Sequence, residues 1–375
     1  MVNQIKKRKK ITIIVSAMNM GGAQRVVSIL CNHWSQNGCD VTLIYTYTTK
    51  KIHHYYLNKD VRIKYLSNIP YFSKVYFCNA LWKLINLRIL IKRSNPDVAI
   101  SFLTTINIAT TLASIGTKFP LFICERTSTP FATLSKNYFW VYKILFKRVK
   151  KIIVQTEKNK SYLSQFFPNS FVEVIPNMII YPIPITGLSI DPNSVILQNR
   201  KTILAAGRMH KFKQFNLLIK AFVKIADKYP DWDLVILGDG EERNFLEQLL
   251  VDLEISDRVF FPGSVGNVSE WYEKVDLFVL SSLVEGYPNV LLEAMAYGVP
   301  CISFDCETGP SELIKDRING ILVNPNTKEI GLSKAISEVI ANEKFRKSLS
   351  TKASKMRELN SVNKIIDKWN QCLSL

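Results

Sequence analysis

The stretch DLFVLSSLVEGYPNVLLEAMAYGVPCISF, residues 276–304, decides the fold class by the way it divides. Its first part, Leu277–Leu280, is a short apolar run of strand character. A polar loop follows, and apolar residues then recur at helical spacing at Val290, Leu291, Ala294, Met295 and Tyr297. Gly298 stands where that helix should stop, and Val299–Phe304 reads as the next strand. Pro288 suits a first helical position, because its fixed φ fits and its missing N–H would go unbonded there anyway. Two carboxylates, Glu285 in the loop and Glu293 about one turn inside the helix, are eight residues apart. A strand, an acid-bearing loop and a helix N-terminus (Asn289–Val290) aimed into that loop make a site for an anionic ligand that also offers hydroxyls.

The acids narrow the ligand further. A bare helix N-terminus already suits phosphate, whereas a carboxylate accepts hydrogen bonds. Glu293 therefore suits the vicinal hydroxyls of a ribose and Glu285 those of a sugar. The same positions also fit a solvated Glu285 and a Glu293 that only complements the helix dipole.

Toward the N-terminus, residues 10–46 repeat the pattern. Strand Ile11–Ala17 leads through a Gly-rich turn, Asn19–Gly22, into helix Ala23–Ser35 and strand Val41–Tyr45. This is the opening of a doubly wound parallel sheet. Gly21 and Gly22 follow the strand end, where lack of side chains lets backbone N–H groups approach a phosphate. Further strands are predicted at Asp97–Phe102, Leu121–Cys124, Lys151–Gln155 and Phe171–Ile175. Glu125 and Arg126 end a buried strand, so they are expected to line the ligand cleft or to form an internal ion pair or cap.

Residues 176–200 gather Pro176, Pro182, Pro184, Gly187 and Pro192 and form the best linker candidate. Strand Thr202–Ala206 then leads into Gly207-Arg208, Lys213 and a helix from about Phe215 to Lys228. Arg208 offers a planar fork for phosphate oxygens and Lys213 a point charge, a pairing suited to a diphosphate leaving group. Leu234–Leu237 with Gly238-Asp239-Gly240 is a strand and tight turn, and Val259–Gly263 ends another strand. Asp231-Trp232-Asp233 spells a metal-binding DxD but precedes its strand rather than ending it, so no metal site is expected there.

At 375 residues with 47% apolar residues, the chain can fill two cores. No apolar run reaches the ~18 residues needed to cross a bilayer, and the start has no adequate signal-peptide core. Seven scattered cysteines without a CxxC point to reduced thiols in a cytosol. The net charge of +18 is uneven: residues 1–180 hold 26 Lys/Arg against 6 Asp/Glu, the remainder 23 against 25. The first half therefore faces something negative. Two acid-free segments in it, Tyr71–Arg93 and Phe131–Lys151, mix aromatics, aliphatics and Lys/Arg. Such helices either lie on an anionic membrane surface or cover the sheet with their Lys stems packed down. No nucleic-acid motif accompanies the charge.

The pair Glu285 and Glu293 within EGYPNVLLEAMAYGVP resembles the Glu-x7-Glu signature of retaining GT-B glycosyltransferases of family 4. Gly21-Gly22, Gly207-Arg208 with Lys213, and Gly238-Asp239-Gly240 match the same family in the same order, so the resemblance covers nearly the whole chain. Gln24 departs from a frequent Glu, and Gln214 from the usual Gly after the lysine. The resemblance implies an α/β, GT-B fold: two facing Rossmann-like domains with parallel sheets and a deep cleft between them. It places an acceptor-binding, membrane-facing domain at 1–180 and a nucleotide-sugar domain at 181–360, with a last helix at 361–375 returning to the first.

It also implies a retaining, metal-independent hexosyltransferase without a cofactor, with a nucleotide sugar (a UDP-sugar favoured) as donor. Arg208, Lys213 and Glu285 would then be catalytic, and Gly21, Gly22, Asn289, Val290 and Glu293 donor-binding. Glu125 or Arg126 would handle the acceptor. The segment Thr308-Gly309-Pro310-Ser311-Glu312 is similar to one in bacterial relatives that build envelope glycans. The expected acceptor is a lipid-linked glycan or surface polysaccharide, and the expected location cytoplasmic, peripheral on the inner membrane face. The alternatives are a GT-B nucleotide-sugar epimerase and a non-catalytic, basic membrane-binding protein.

Overall fold

The structure is a computed structural model that describes residues 8–17, 21–47, 55–66, 76–126 and 136–375, without the side chains of 76–78, 136–139 and 141. Asn19, residues 71–75 and 131–135, and Thr127-Ser128, all used in the sequence reading, lie outside the described residues. The chain forms two compact units, Met1–Pro176 with Ile365–Leu375, and Asn177–Lys364.

The first unit holds strands β1 (Lys10–Val15), β2 (Asp40–Tyr45), β3 (Arg62–Tyr65), β4 (Val98–Phe102), β5 (Leu121–Cys124), β6 (Lys151–Val154) and β7 (Val172–Val174). They pair in parallel in the order β3-β2-β1-β4-β5-β6-β7. The second holds β8 (Lys201–Ala206), β9 (Trp232–Leu237), β10 (Val259–Gly263), β11 (Leu277–Leu280), β12 (Cys301–Phe304) and β13 (Ile321–Val323), also parallel, in the order β10-β9-β8-β11-β12-β13. Both sheets reverse their winding once, between β1 and β4 and between β8 and β11. Ligands of open α/β sheets bind beyond the strand C-termini at such reversals.

Burial on both faces explains the continuous apolar runs. In the second sheet Ile203 and Ala205 join the core under helices Phe215–Ala226 and Lys328–Ala341, while Leu204 and Ala206 join that under helix Asn289–Ala296. The alternation follows from the two-residue period of a strand.

Two strands escape the sequence reading. β3 (RIKY) is an edge strand with alternating exposure and no apolar run, and β13 is three residues long. The proline-rich stretch 177–200 is no open linker either: it is bonded onto the second unit. Thr186 N–H donates to Gly266 O, Ile183 N–H to Tyr297 Oη, and Ile190 N–H to Asn267 Oδ1. The last helix, Val362–Leu373, lays Trp369 edge-on against Trp34 at 6.3 Å, and Trp34 Nε1 donates to Asn370 Oδ1 at 2.9 Å.

Candidate functional site

The winding reversal of the second sheet sets β8 beside β11, so the loops leaving their C-terminal ends are neighbours. The β8 loop carries Arg208 and Lys213, and the β11 loop carries Glu285. Lys213 Nζ lies 2.6 Å from Glu285 Oε1, with the two side chains 23% and 12% exposed. Ser282 Oγ donates to the same carboxylate oxygen at 2.7 Å, and Ser281 Oγ to Lys213 O at 2.7 Å. The second loop thereby holds both the side chain and the backbone of the lysine in the first.

Backbone packing fixes the β8 loop. Gly207 has φ +154°, and the Lys213 stem crosses it so closely that a Cβ there would sit 3.1 Å from Cε. The Gly238-Asp239-Gly240 turn presses on the same loop from β9: a Cβ on Gly238 would lie 1.9 Å from Gly207 O. Gln214, where the family pattern has glycine, adopts φ 50°, ψ 38°, the left-handed conformation that glycine enters freely. The departure is therefore in residue type and leaves the turn geometry in place.

Arg208 is not drawn to the same carboxylate. Its side chain is 73% exposed and pairs with Glu241 at 3.1 Å, to which His210 Nε2 also comes within 3.3 Å. The Glu241 carboxyl is held below its ordinary value, first by its own backbone N–H and then by Arg208 and His210. Neither Glu241 nor His210 was singled out in the sequence. The acid beside GDG and the histidine inside the loop were the available signals.

Helix Asn289–Ala296 follows the β11 loop with Pro288 as its cap residue, one position earlier than the sequence implies. Asn289 and Val290 form its first turn, whose N–H groups lack partners within the helix. Asn177 Nδ2 donates to Asn289 Oδ1 at 2.7 Å. Glu293 is 5% exposed and accepts from the Tyr272 hydroxyl at 3.2 Å, a partner the sequence gave no reason to choose. From the loop after β12, Thr308 Oγ1 donates to Glu285 O, and Gly309 packs against Pro288 and Gly286. The predicted Thr308–Glu312 turn thus buttresses the acid loop.

The remaining candidates belong to the first unit. Gly21 exchanges hydrogen bonds with the Tyr55 hydroxyl, and Gly22 begins helix Gly22–Gln36 beyond the end of β1. Glu125 does not face open space: it is fully buried and accepts from Thr104 Oγ1 at 2.7 Å, Asn107 Nδ2 at 2.6 Å and the Tyr142 hydroxyl. Burial raises its carboxyl above the ordinary value, against the pull of those donors. Arg126 lies over Phe102 and Trp369 at 5.2 and 5.8 Å.

Asp233 of the DxD-like triplet is likewise internal, clamped by Arg200 at 2.5 Å and Arg258 at 2.9 Å near the start of β9. Among the described residues no three His, Cys, Asp or Glu side chains are grouped to hold a metal ion, and no helix is long and apolar enough to cross a membrane. The described cysteines are free thiols, and burial pushes those of Cys124 and Cys306 up to about 12.

Two protein families match this chain. Glycosyl transferases group 1 covers residues 189–356, and Glycosyltransferase Family 4 covers residues 20–180. A Campylobacter jejuni alpha-1,4-N-acetyl-D-galactosaminyltransferase, named for GalNAc-alpha-(1->4)-GalNAc-alpha-(1->3)-diNAcBac-PP-undecaprenol, is 30% identical over 96% of this chain and 97% of its own length. The amylovoran biosynthesis glycosyltransferase AmsD of Erwinia amylovora is 28% identical over 98% of this chain and 99% of its own. Among solved structures, Anabaena HepE in complex with UDP superposes with a TM-score of 0.79 over 97% of this chain and 99% of its own, at 17% identity.

Proposed function

Because the chain belongs to the GT-B glycosyltransferases of family 4, we propose that it moves a hexose or N-acetylhexosamine, with retention, from a UDP-sugar to a lipid-linked or surface-polysaccharide acceptor. The observation that carries this reading is the Lys213–Glu285 pair at the winding reversal. It sets a cation beside a carboxylate, matching a donor that presents phosphate beside sugar hydroxyls. UDP is favoured because the UDP-bound structure shares the fold. The acceptor class follows the undecaprenyl-diphosphate glycan in the name of the Campylobacter relative and the amylovoran biosynthesis in that of the Erwinia relative.

In this reading Lys213 and Arg208 stabilise the leaving diphosphate together with the helix start at Asn289–Val290. Glu285 takes sugar hydroxyls, and Glu293 the ribose from beneath the helix. Gly21 and Gly22 border the diphosphate and acceptor, and Arg126 contributes to the acceptor side while Glu125 supports it from inside. No side chain is assigned as a nucleophile. The acceptor oxygen bonds to the anomeric carbon on the face from which the bond to phosphate breaks, and the hydroxyl proton passes to the departing phosphate oxygen. The side-chain cations, with no metal assigned, balance the charge that grows there.

The first unit is read as the acceptor domain, peripheral on the inner face of the cell membrane. Leu81, Ile85 and Ile89 line one exposed face of helix Tyr76–Ser94, and Trp140 and Ile144 are exposed on helix Lys136–Phe146. Lys143 stands over the Trp140 ring at 5.3 Å, a pairing suited to an anionic interface. The test is a panel of UDP- and GDP-sugars with product analysis. Release of UDP from one donor and an α-linked product from an α-donor are expected. An epimerised sugar nucleotide without acceptor would instead reveal an epimerase, and no nucleoside diphosphate binding would leave only a membrane-binding role.

A further inference from the structure

The first unit contains a cavity of about 450 Å³ that the proposed reaction leaves unused. Such a volume lies within the ~300–1,000 Å³ of small-molecule sites. Its position is specific: Thr46 and Tyr47 follow the C-terminal end of β2, and Leu66 follows that of β3. The wall opposite is one face of helix Tyr76–Ser94, where lining residues Asn79, Ala80, Lys83, Leu84 and Leu87 recur at helical spacing. Ile106 and Ala109 of helix Thr104–Ala113 close the inner side. Leu66, Leu87 and Ile106 are 6%, 1% and 1% exposed, whereas Tyr47 is 67% exposed. The interior is thus mainly aliphatic; Lys83 and Asn79 stand on the helix wall, and the hydroxyls of Thr46 and Tyr47 lie at the end of β2.

That helix is unusual in being apolar on two sides. Leu81, Ile85 and Ile89 are exposed at four-residue spacing, roughly half a turn from Lys83 and Leu87 at 100° per residue. Arg88 Nη1 fastens the helix by donating to Ala113 O at 2.7 Å and Ile115 O at 2.6 Å. A helix only covering a sheet needs one apolar stripe. The inner stripe, with Leu87 and Ile91, packs into the core of the unit, so the outer one is surplus to folding and fits a bilayer surface.

We propose that this cavity binds the first part of the hydrocarbon chain of a single-chain lipid phosphate, the acceptor's anchor, with Lys83 meeting the phosphate. The inference rests on the lipid-linked reading of the acceptor given above. One aliphatic chamber with a cation in its lining matches one chain ending in a phosphate, and the strand C-termini beside it are where the fold presents ligands.

Calorimetric titration of farnesyl phosphate, kept below its aggregation concentration, tests the site without turnover. One-to-one binding is expected, with no displacement by inorganic phosphate. Ala109→Phe, which fills the chamber, should weaken binding at least tenfold, and Lys83→Gln several-fold. Both variants should hydrolyse donor alone at the wild-type rate. Ala80→Leu is the second filling variant should the first not fold.

Absence of farnesyl phosphate binding overturns the proposal, as does equal affinity in the filled variants. Equal or tighter binding of lysophosphatidylglycerol would reassign the chamber to membrane lipid and overturn it too. Intact farnesyl phosphate binding supports the site even if no lipid-linked acceptor is glycosylated, and that second result would count against the acceptor reading alone.

Discussion

Three residues show how environment sets what a side chain does. Gln214 holds the left-handed conformation at the exit of the Lys213 loop, which costs a residue with a Cβ about 1–2 kcal/mol. Gln214→Gly should therefore keep the loop and most of the stability, since the relief offsets the extra freedom of the unfolded chain. Gln214→Val, with its branched Cβ at positive φ, should lose about 1–2 kcal/mol. Urea unfolding of both variants measures the contrast, and equal midpoints would contradict it. Glu125 makes a second case. Its folded-state carboxyl is raised above the ordinary 4.5 by burial, so the native state holds the proton more tightly than the unfolded chain. That contribution to stability is fully present below the ordinary value and is lost as pH rises through the raised one. Glu125→Gln should flatten the slope of unfolding free energy from about pH 4.5 upward, and an unchanged slope would refute the assignment. Glu285, by contrast, was singled out from the sequence as an acid in a loop between strand and helix, and the structure pairs it with Lys213 and Ser282 rather than leaving it solvated.

At the scale of elements, the site is a product of loop-on-loop packing. Gly238 leaves room for Gly207 O, and its φ is +127°. Gly238→Ala should therefore cost about 2 kcal/mol or more and weaken UDP binding, because the Lys213 loop must shift. Gly298→Ala has a comparable φ of +76° but only ordinary contacts. It should cost about 1–2 kcal/mol and spare UDP binding. Thermal unfolding with UDP calorimetry on both separates strain from collision. The central strands were readable because burial on two faces leaves continuous apolar runs, and the site helix because its apolar residues recur at helical spacing. β3 was not, since an exposed edge needs none, and β13 is too short to show a pattern. Stretch 177–200 misled as a linker: its prolines mark irregular backbone, and only tertiary hydrogen bonds to Gly266, Asn267 and Tyr297 show that it is packed. Tyr272 was invisible for a similar reason, since its partner Glu293 comes from another element of the second unit; Glu241 stood beside Gly238-Asp239-Gly240, but its pairing with Arg208 joins two loops that only the fold brings together.

Over the whole molecule, the charge excess and the four charged site candidates fall in different halves. The excess of Lys/Arg lies in residues 1–180, whereas Arg208, Lys213, Glu285 and Glu293 lie in the second unit. Sedimentation with phosphatidylglycerol vesicles should show binding that is lost when salt rises from about 0.1 to about 1 M, as the Debye length falls from ~10 to ~3 Å. Equal binding to neutral vesicles would contradict an electrostatic role for the basic half. Leu81→Ser with Ile85→Ser should weaken vesicle binding and leave donor hydrolysis unchanged, a result that would separate the two halves functionally. In the proposed reaction Lys213, held against Glu285, serves a nucleotide-sugar diphosphate. The most direct test is the turnover of Lys213→Ala on the UDP-sugar the wild type uses. The expected fall in kcat is roughly 10²-fold or more, about 3 kcal/mol of lost charge stabilisation, with the fold intact by circular dichroism; turnover near the wild-type value would contradict the account.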